Sequence, residues 1–379
     1  DSKESIDEQL AAFLQHEERS GMSHGNKLPT EAKVVYVFPG QGSQWLGMGC
    51  RLLKQEPVFR AKLQECDKLI RQYTNWSLLD VLMERSAHAF EQIDMLQPVL
   101  LAMELGLAAL WESWGVRPDA VVGHSMGELA AAVLAGALSL EDALHVICWR
   151  SHLLKRISGS GSMAVVNLPL EQAQALISDY EGRVSIASNN SPTETVLSGD
   201  SATIDQLLRT VKERGIYCSL IKVDVASHSA QVDPLLDDLR HGLTTLQPRS
   251  TSIPFYSTVT STPLAGAELD AAYWTDNLRQ PVLFYPTVTR LLQDGYAIFV
   301  EMTPHPILLG SLQQTFKNIR QQNAKDGTYT TPHMHAIPSL RRDMDERSSL
   351  LASVGTLYTL GLPLQWERFY SGGEQYVSL

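Results

Sequence analysis

Gly123-His124-Ser125-Met126-Gly127 is the stretch whose residue types are best suited to chemistry. In a G-x-S-x-G segment the serine sits on a strained bend between a strand and a helix, which exposes its hydroxyl. The two glycines allow close backbone approach and unusual dihedrals. Here Val121-Val122 supplies a short strand before the bend, and the Ala-rich run from Glu128 supplies a helix after it. Ser125 therefore reads as a nucleophile, with backbone N–H groups at the helix start available to a developing oxyanion.

A serine nucleophile needs a base. The chain has 11 histidines. His124 adjoins Ser125, where the tight turn points it away from the hydroxyl but leaves it able to line a pocket. His228, in Val225-Ala226-Ser227-His228-Ser229, follows the strand that closes a small subdomain, at an edge where a cleft forms. It reads as the base or as a purely structural histidine, and His305, between two prolines, is its rival. Asp200 and Asp224 lie between Ser125 and His228, where an α/β-hydrolase order would put an acidic orienter, yet neither sits in a recognisable motif. A backbone carbonyl is the alternative orienter, since it fixes the Nδ1–H tautomer without adding charge. His333 and His335 form an H-x-H with no third ligand nearby, so no metal site is expected.

Two further segments complete the constellation. Pro39-Gly40-Gln41-Gly42-Ser43-Gln44 follows a strand but lacks the Lys-Ser/Thr of a phosphate-binding loop. It either just turns the chain or brings its amides near Ser125 as oxyanion donors. Arg150 lies on a helix among Val146, Ile147 and Leu153; either it is solvated, or those neighbours half bury it, and a half-buried guanidinium pairs bidentately with a carboxylate.

The elements that must position these residues follow from periodicity. KVVYVF, stopped by Pro39-Gly40, is a short buried strand. Helices are expected over Pro57 to Tyr73 and Gln97 to Trp114. Residues 161–224 have another texture: SMAVVNL, VSIASN, ETVLSG and YCSLIKVDV read as strands, with helices in LEQAQALISDY and ATIDQLLRTVKERG. That β-α-β-β-α-β order is a ferredoxin-like split, expected as an insertion. The larger body, residues 33–160 and 225–340, resumes with strands in IPFYST and AIFVEM and helices near 229–246, 281–294 and 306–322. QQNAKDGTYTTPHMH reads as a polar loop and SSLLASVGTLYTLG as a helix. Residues 1–32 and 341–379 read as linkers, the first with a short helix around Ile6, Leu10, Phe13 and Leu14. The fold class expected is α/β: an α/β-hydrolase-like large subdomain with an inserted ferredoxin-like small one.

The chain has 379 residues, of which 44% are hydrophobic, enough for a sizeable core. A formal net charge of -11 argues against a nucleic-acid binder. Cys50, Cys66, Cys148 and Cys218 are widely spaced and read as free thiols of a reducing compartment. DSKESIDEQL is not a signal peptide, and no run of 18 apolar residues exists, so a cytoplasmic protein with no membrane contact is expected. The abrupt start suggests a piece of something larger.

Six blocks, VFPGQGSQWLGMG, IDMLQPVLLAMELGLAALWESWG, GHSMGELAAAVLAGALSLEDA, VASHS, YWTDNLRQPVLF and VEMTPHPIL, together resemble the acyltransferase domains of modular polyketide synthases, which are similar to malonyl-CoA:acyl carrier protein transacylases. The resemblance runs from Lys33 to Leu379. It implies that Ser125 is acylated, that His228 is its base, and that Arg150 clamps the free carboxylate of an extender unit. It places the oxyanion hole at Gln41 or Gln44 with Met126. Gln97 and Asn190 line the pocket, and the backbone carbonyl of Asn277 orients the histidine. It implies no cofactor of the chain's own: acyl-CoA is the substrate, and phosphopantetheine comes on an acyl carrier protein. A ketosynthase would neighbour the chain through its linkers. In this family a Phe before the base His accompanies malonyl and a Ser accompanies methylmalonyl, so Ser227 favours methylmalonyl. Val225, where Tyr is usual, removes further bulk and admits a larger unit. A serine thioesterase and a non-catalytic docking module are the competing readings.

Overall fold

The computed structural model describes residues 3–15, 17, 21–28, 33–84, 88–180, 182–223, 225–325 and 333–369. In chain order its strands are β1 (Lys33–Phe38), β2 (Ala120–Gly123), β3 (Gly161–Val166), β4 (Val184–Ser191), β5 (Glu194–Asp200), β6 (Cys218–Ile221), β7 (Phe255–Tyr256), β8 (Pro263–Leu264), β9 (Tyr296–Glu301) and β10 (His335–Pro338). They form two sheets, a six-stranded one of order β10-β9-β1-β2-β7-β8 and a four-stranded one of order β4-β5-β3-β6.

The large sheet is parallel except for β8, which pairs antiparallel with β7. Helices cover both its faces, which is why β1 reads as a continuous apolar run. Alternate residues go opposite ways. Val34, Tyr36 and Phe38 join the larger core around the helix Ile93–Ser113. Val35 and Val37 meet Phe284, Val288 and Phe316 on the other side. The small sheet is antiparallel, and its strand order is that of the ferredoxin-like split. It has its own core of Val184, Leu197, Ile204, Leu207 and Val211 among others.

Several boundaries differ from expectation. The long helix begins at Ile93, not Gln97, and carries Pro98 inside it. A proline there deletes a single ladder hydrogen bond, and the helix is buried along almost its whole length. It is also the one helix among the described residues long and apolar enough to cross a membrane, but 83% of its apolar window is buried in this core. The segment expected as a polar loop near 321–335 is instead the end of the helix Leu309–Lys325 and the start of β10; residues 326–332 lie outside the described set. The helix expected near 229–246 splits at Pro234 into a 3-10 turn, Ala230–Leu235, and a short helix, Leu236–Gly242. The helix Glu346–Thr359 lays Leu350, Val354 and Leu357 into the main core.

Candidate active site

Parallel pairing of β1 and β2 brings their C-terminal turns side by side, with Phe38 opposite Gly123. The His124 N–H donates to the Phe38 carbonyl at 2.8 Å. The bend that follows holds Ser125 at φ 55°, a left-handed conformation that costs a non-glycine residue on the order of 1–3 kcal/mol. Its glycines are required sterically. A Cβ on Gly127 would lie 2.1 Å from the Phe38 carbonyl oxygen, and one on Gly123 would lie 2.2 Å from the Glu128 nitrogen.

His228 meets this serine from the far side of the cleft. Its Nε2 lies 2.8 Å from Ser125 Oγ and its Nδ1 lies 2.7 Å from the Gln280 carbonyl oxygen. A carbonyl only accepts, so Nδ1 carries the proton and Nε2 is left to accept the serine O–H. His228 is also left-handed, at φ 59°, and its own N–H donates to the Leu278 carbonyl at 3.0 Å. Both carbonyls come from the C-terminal end of the helix Ala271–Arg279, where backbone acceptors have no helical donor and the dipole favours positive charge. Burial, reinforced by the Arg150 charge, pushes the imidazole's pKa down to about 3, so it rests neutral.

Arg150, on the helix Leu140–Leu154, is 2% exposed. One guanidinium nitrogen donates to Asn277 Oδ1 at 2.6 Å, another reaches Ser125 Oγ at 3.3 Å, and Nε has no partner. Burial lowers its pKa to about 10, opposed by the charge of Glu128. It is a cation at neutral pH, held beside the Ser125 hydroxyl, with an Nε donor that has no partner.

A cavity of about 380 Å³ opens over these groups between the two sheets. Ser125, His228, Arg150, Gln41, Met126 and Gln97 line it on the large-subdomain side, and the Gln97 side-chain oxygen is buried without a partner. Val225 and Ser227 form part of its wall, beside Met163, Val165 and Val196 of the small sheet. His124 and Asn190 also line it, bonded to each other across the subdomains at 2.9 Å. The β4 strand is tied to the large body next to the imidazole's anchor: Asn189 N–H donates to the Val282 carbonyl and Val282 N–H to that of Ala187.

Two expectations need correction, and the alternatives left open at Asp200 and His305 are resolved. The carbonyl that orients His228 belongs to Gln280, not Asn277: the helix ends at Arg279, and Gln280, its extended C-cap, leaves its carbonyl free to accept from the imidazole. Asn277 instead uses its side chain, behind Arg150 and off the cavity wall. Gln44 is not among the lining residues; its Oε1 accepts the Gly42 N–H at 2.9 Å and so shapes the glycine turn. Asp200 is no orienter, since its carboxylate caps the helix Ser201–Glu213 through Thr203, while Asp224 lies outside the described residues. His305 lies off this cavity and accepts the Arg342 N–H, and His335 sits on β10, three strands from β2.

Sequence reasoning missed Glu128. It is fully buried one residue past the elbow, and four donors converge on it: the Thr258 N–H and hydroxyl, the Tyr273 hydroxyl and the Asn277 amide. Its position immediately after G-x-S-x-G was the only available signal.

The acyl transferase domain model matches residues 35–362. The chain is 43% identical over 333 residues to the spectinabilin polyketide synthase system protein NorC of Streptomyces orinoci, covering 87% of this chain and 14% of that protein. It is 39% identical to erythronolide synthase EryA2 of Saccharopolyspora erythraea, covering 88% of this chain and 9% of that one. The chain thus spans a small part of these relatives. Among solved structures, the acyltransferase domain from module 8 of the salinomycin polyketide synthase superposes with a TM-score of 0.89 at 37% identity, covering 95% of this chain and 82% of that one. The malonyl CoA-acyl carrier protein transacylase of Coxiella burnetii gives 0.74 at 25% identity, covering 87% and 97%.

Proposed function

The chain belongs to the acyl transferase domain family, and from that membership we propose that it takes an α-carboxyacyl extender unit from coenzyme A onto Ser125 and hands it to the phosphopantetheine thiol of an acyl carrier protein. The observation that carries this reading is the convergence of Ser125 Oγ, His228 Nε2 and the Arg150 guanidinium at one end of the cavity.

His228 Nε2 accepts the Ser125 proton as Oγ attacks the thioester carbonyl. The oxyanion is assigned to the backbone N–H groups of Met126 and Gln41. The carbon–sulfur bond breaks, and the coenzyme A thiolate takes the proton from the imidazolium. The carrier's thiol then gives its proton to the same nitrogen, attacks the acyl-serine, and leaves with the acyl group as Ser125 Oγ is reprotonated. The helix end that bears Leu278 and Gln280 favours the transient imidazolium. No cofactor of the chain's own enters, and the setting is cytoplasmic, which suits four buried free cysteines.

Within the α-carboxyacyl class the reading is methylmalonyl. Ser227 and Val225 are small side chains on the cavity wall and leave room for an α-methyl. One methylene in such a pocket is worth only about 1–3 kcal/mol, so some malonyl use is expected alongside. The flanking segments would join the domain to a ketosynthase in a larger synthase.

Arg150→Ala tests the reading. Removing one partner of a desolvated ion pair costs about 2–5 kcal/mol, so kcat/KM for methylmalonyl-CoA should fall roughly 100-fold while acetyl-CoA acylates Ser125 as well as before or better. A variant that keeps its preference for the carboxylated donor refutes the clamp.

A further inference from the structure

Arg150 is buried, and a buried guanidinium needs a fixed counter-charge if it is to stay charged and aimed. Its counter-charge is not in contact with it. Glu128 Oε2 and Arg150 are bridged by a single side chain, Asn277: Oδ1 accepts from the guanidinium at 2.6 Å, and Nδ2 donates to Glu128 Oε2 at 2.8 Å and to the Ser125 carbonyl at 3.1 Å. The amide can face only one way. Its oxygen must meet a donor-only group, and its NH₂ must meet a carbonyl and a carboxylate.

We infer that Glu128 and Asn277 are the positioning residues that make Arg150 selective for a carboxylated acyl group. Glu128 fixes the orientation of the Asn277 amide, and the amide fixes the guanidinium beside Ser125. This rests on the carboxylate-clamp reading of Arg150 given above and deepens it.

Three observations favour a positioning role over simple packing. Burial raises the Glu128 pKa, and the hydrogen bonds it accepts from Tyr273, Thr258 and Asn277 oppose that rise, as donors placed to hold a carboxylate do. Glu128 acts electrostatically on Arg150, supporting its charge against burial. And Asn277 Oδ1 engages one nitrogen of the guanidinium while Nε stays unpartnered, which leaves donor capacity for a ligand carboxylate instead of consuming it.

Glu128→Gln preserves volume and the acceptor that faces Thr258, but presents an NH₂ to the Asn277 NH₂. The Asn277 amide must then turn over. That puts its NH₂ against the guanidinium and deprives Arg150 of its acceptor. The turned amide also takes its N–H from the Ser125 carbonyl, so a rate loss common to all acyl donors is expected beside the loss at the clamp.

The experiment is a competition between methylmalonyl-CoA and acetyl-CoA, read as the ratio of the two acyl adducts on the intact protein at short times. It compares wild type, Glu128→Gln, Asn277→Ala and Arg150→Ala, with melting curves to show that each variant folds. The carboxylated-to-acetyl ratio should fall roughly tenfold or more in Glu128→Gln and Asn277→Ala, the size expected for one charge-assisted hydrogen bond. Whatever rate the two donors lose in common cancels from the ratio. Arg150→Ala/Glu128→Gln should show no lower ratio than Arg150→Ala alone, since both act through one group. If Arg150→Ala loses the preference while folded Glu128→Gln and Asn277→Ala retain the wild-type ratio, the positioning role is wrong. If Arg150→Ala itself retains the ratio, the clamp reading has failed instead. Should Glu128→Gln not fold, Asn277→Ala decides alone, because it leaves the other three donors of Glu128 in place.

Discussion

At the scale of single residues, the chemistry is set by how the cleft treats an imidazole. Burial first and the Arg150 charge second depress the pKa of His228 to about 3, against a weaker opposing pull from the Gln280 carbonyl. A base with a depressed pKa stays neutral, and so competent, as pH falls through the ordinary histidine range. Acylation kcat/KM should therefore stay flat from about pH 8 to about pH 5, where a histidine at its usual value near 6.5 would have lost most of its activity. A pH–rate profile of Ser125 acylation with an inflection near 6.5 would contradict this. The same depression makes the neutral imidazole's contribution to stability present above the unfolded value and lost as pH falls toward 3. Ser125 was legible from its G-x-S-x-G setting, whereas His228 and Arg150 stayed open on residue type alone and were singled out by the family resemblance. Gln280 was not, because a backbone carbonyl has no residue-type signature. Glu128 was hidden because its partners, Thr258 and Tyr273, lie 130 and 145 positions away.

At the scale of elements, the elbow and its neighbours make the site. The bend works only because β1 and β2 run parallel in register and two glycines let the backbones touch. Gly127→Ala places a methyl against the Phe38 and Pro39 carbonyls, which belong to a buried strand end and cannot yield as a side chain would. The variant should lose on the order of 1–3 kcal/mol or more in denaturant unfolding, together with Ser125 acylation; unchanged stability and acylation would show the approach is not as tight as described. Strand–turn–helix order gave this element away in the sequence. The long helix starts at Ile93, four residues before the expected Gln97, and runs through Pro98 because burial of nearly every turn outweighs one missing N–H. The two-residue β7 and β8 carry too little pattern for periodicity to find both.

At the scale of the whole molecule, the cavity exists because an inserted sheet closes over the parallel one. The His124–Asn190 hydrogen bond and the β4–Val282 bonds knit the two beside the cavity, so the large body contributes Ser125, His228 and Arg150 to its lining and the small sheet contributes Met163, Val165 and Val196. The insertion was readable from its βαββαβ order. Its docking was not, because the contacts join positions far apart in the chain. The C-terminal segment shows the same limit: Glu346 accepts from the N–H groups of Gly49, Arg51 and Leu52 and caps the helix Cys50–Gln55 from almost 300 residues away. The most direct test of the account is intact-protein mass spectrometry after brief exposure to methylmalonyl-CoA and malonyl-CoA together, followed by addition of a carrier protein. One carboxyacyl adduct, predominantly methylmalonyl, should form on Ser125, vanish in Ser125→Ala, and discharge faster to the carrier than to water. An adduct that survives Ser125→Ala, or that leaves at the same rate with and without the carrier, would contradict it.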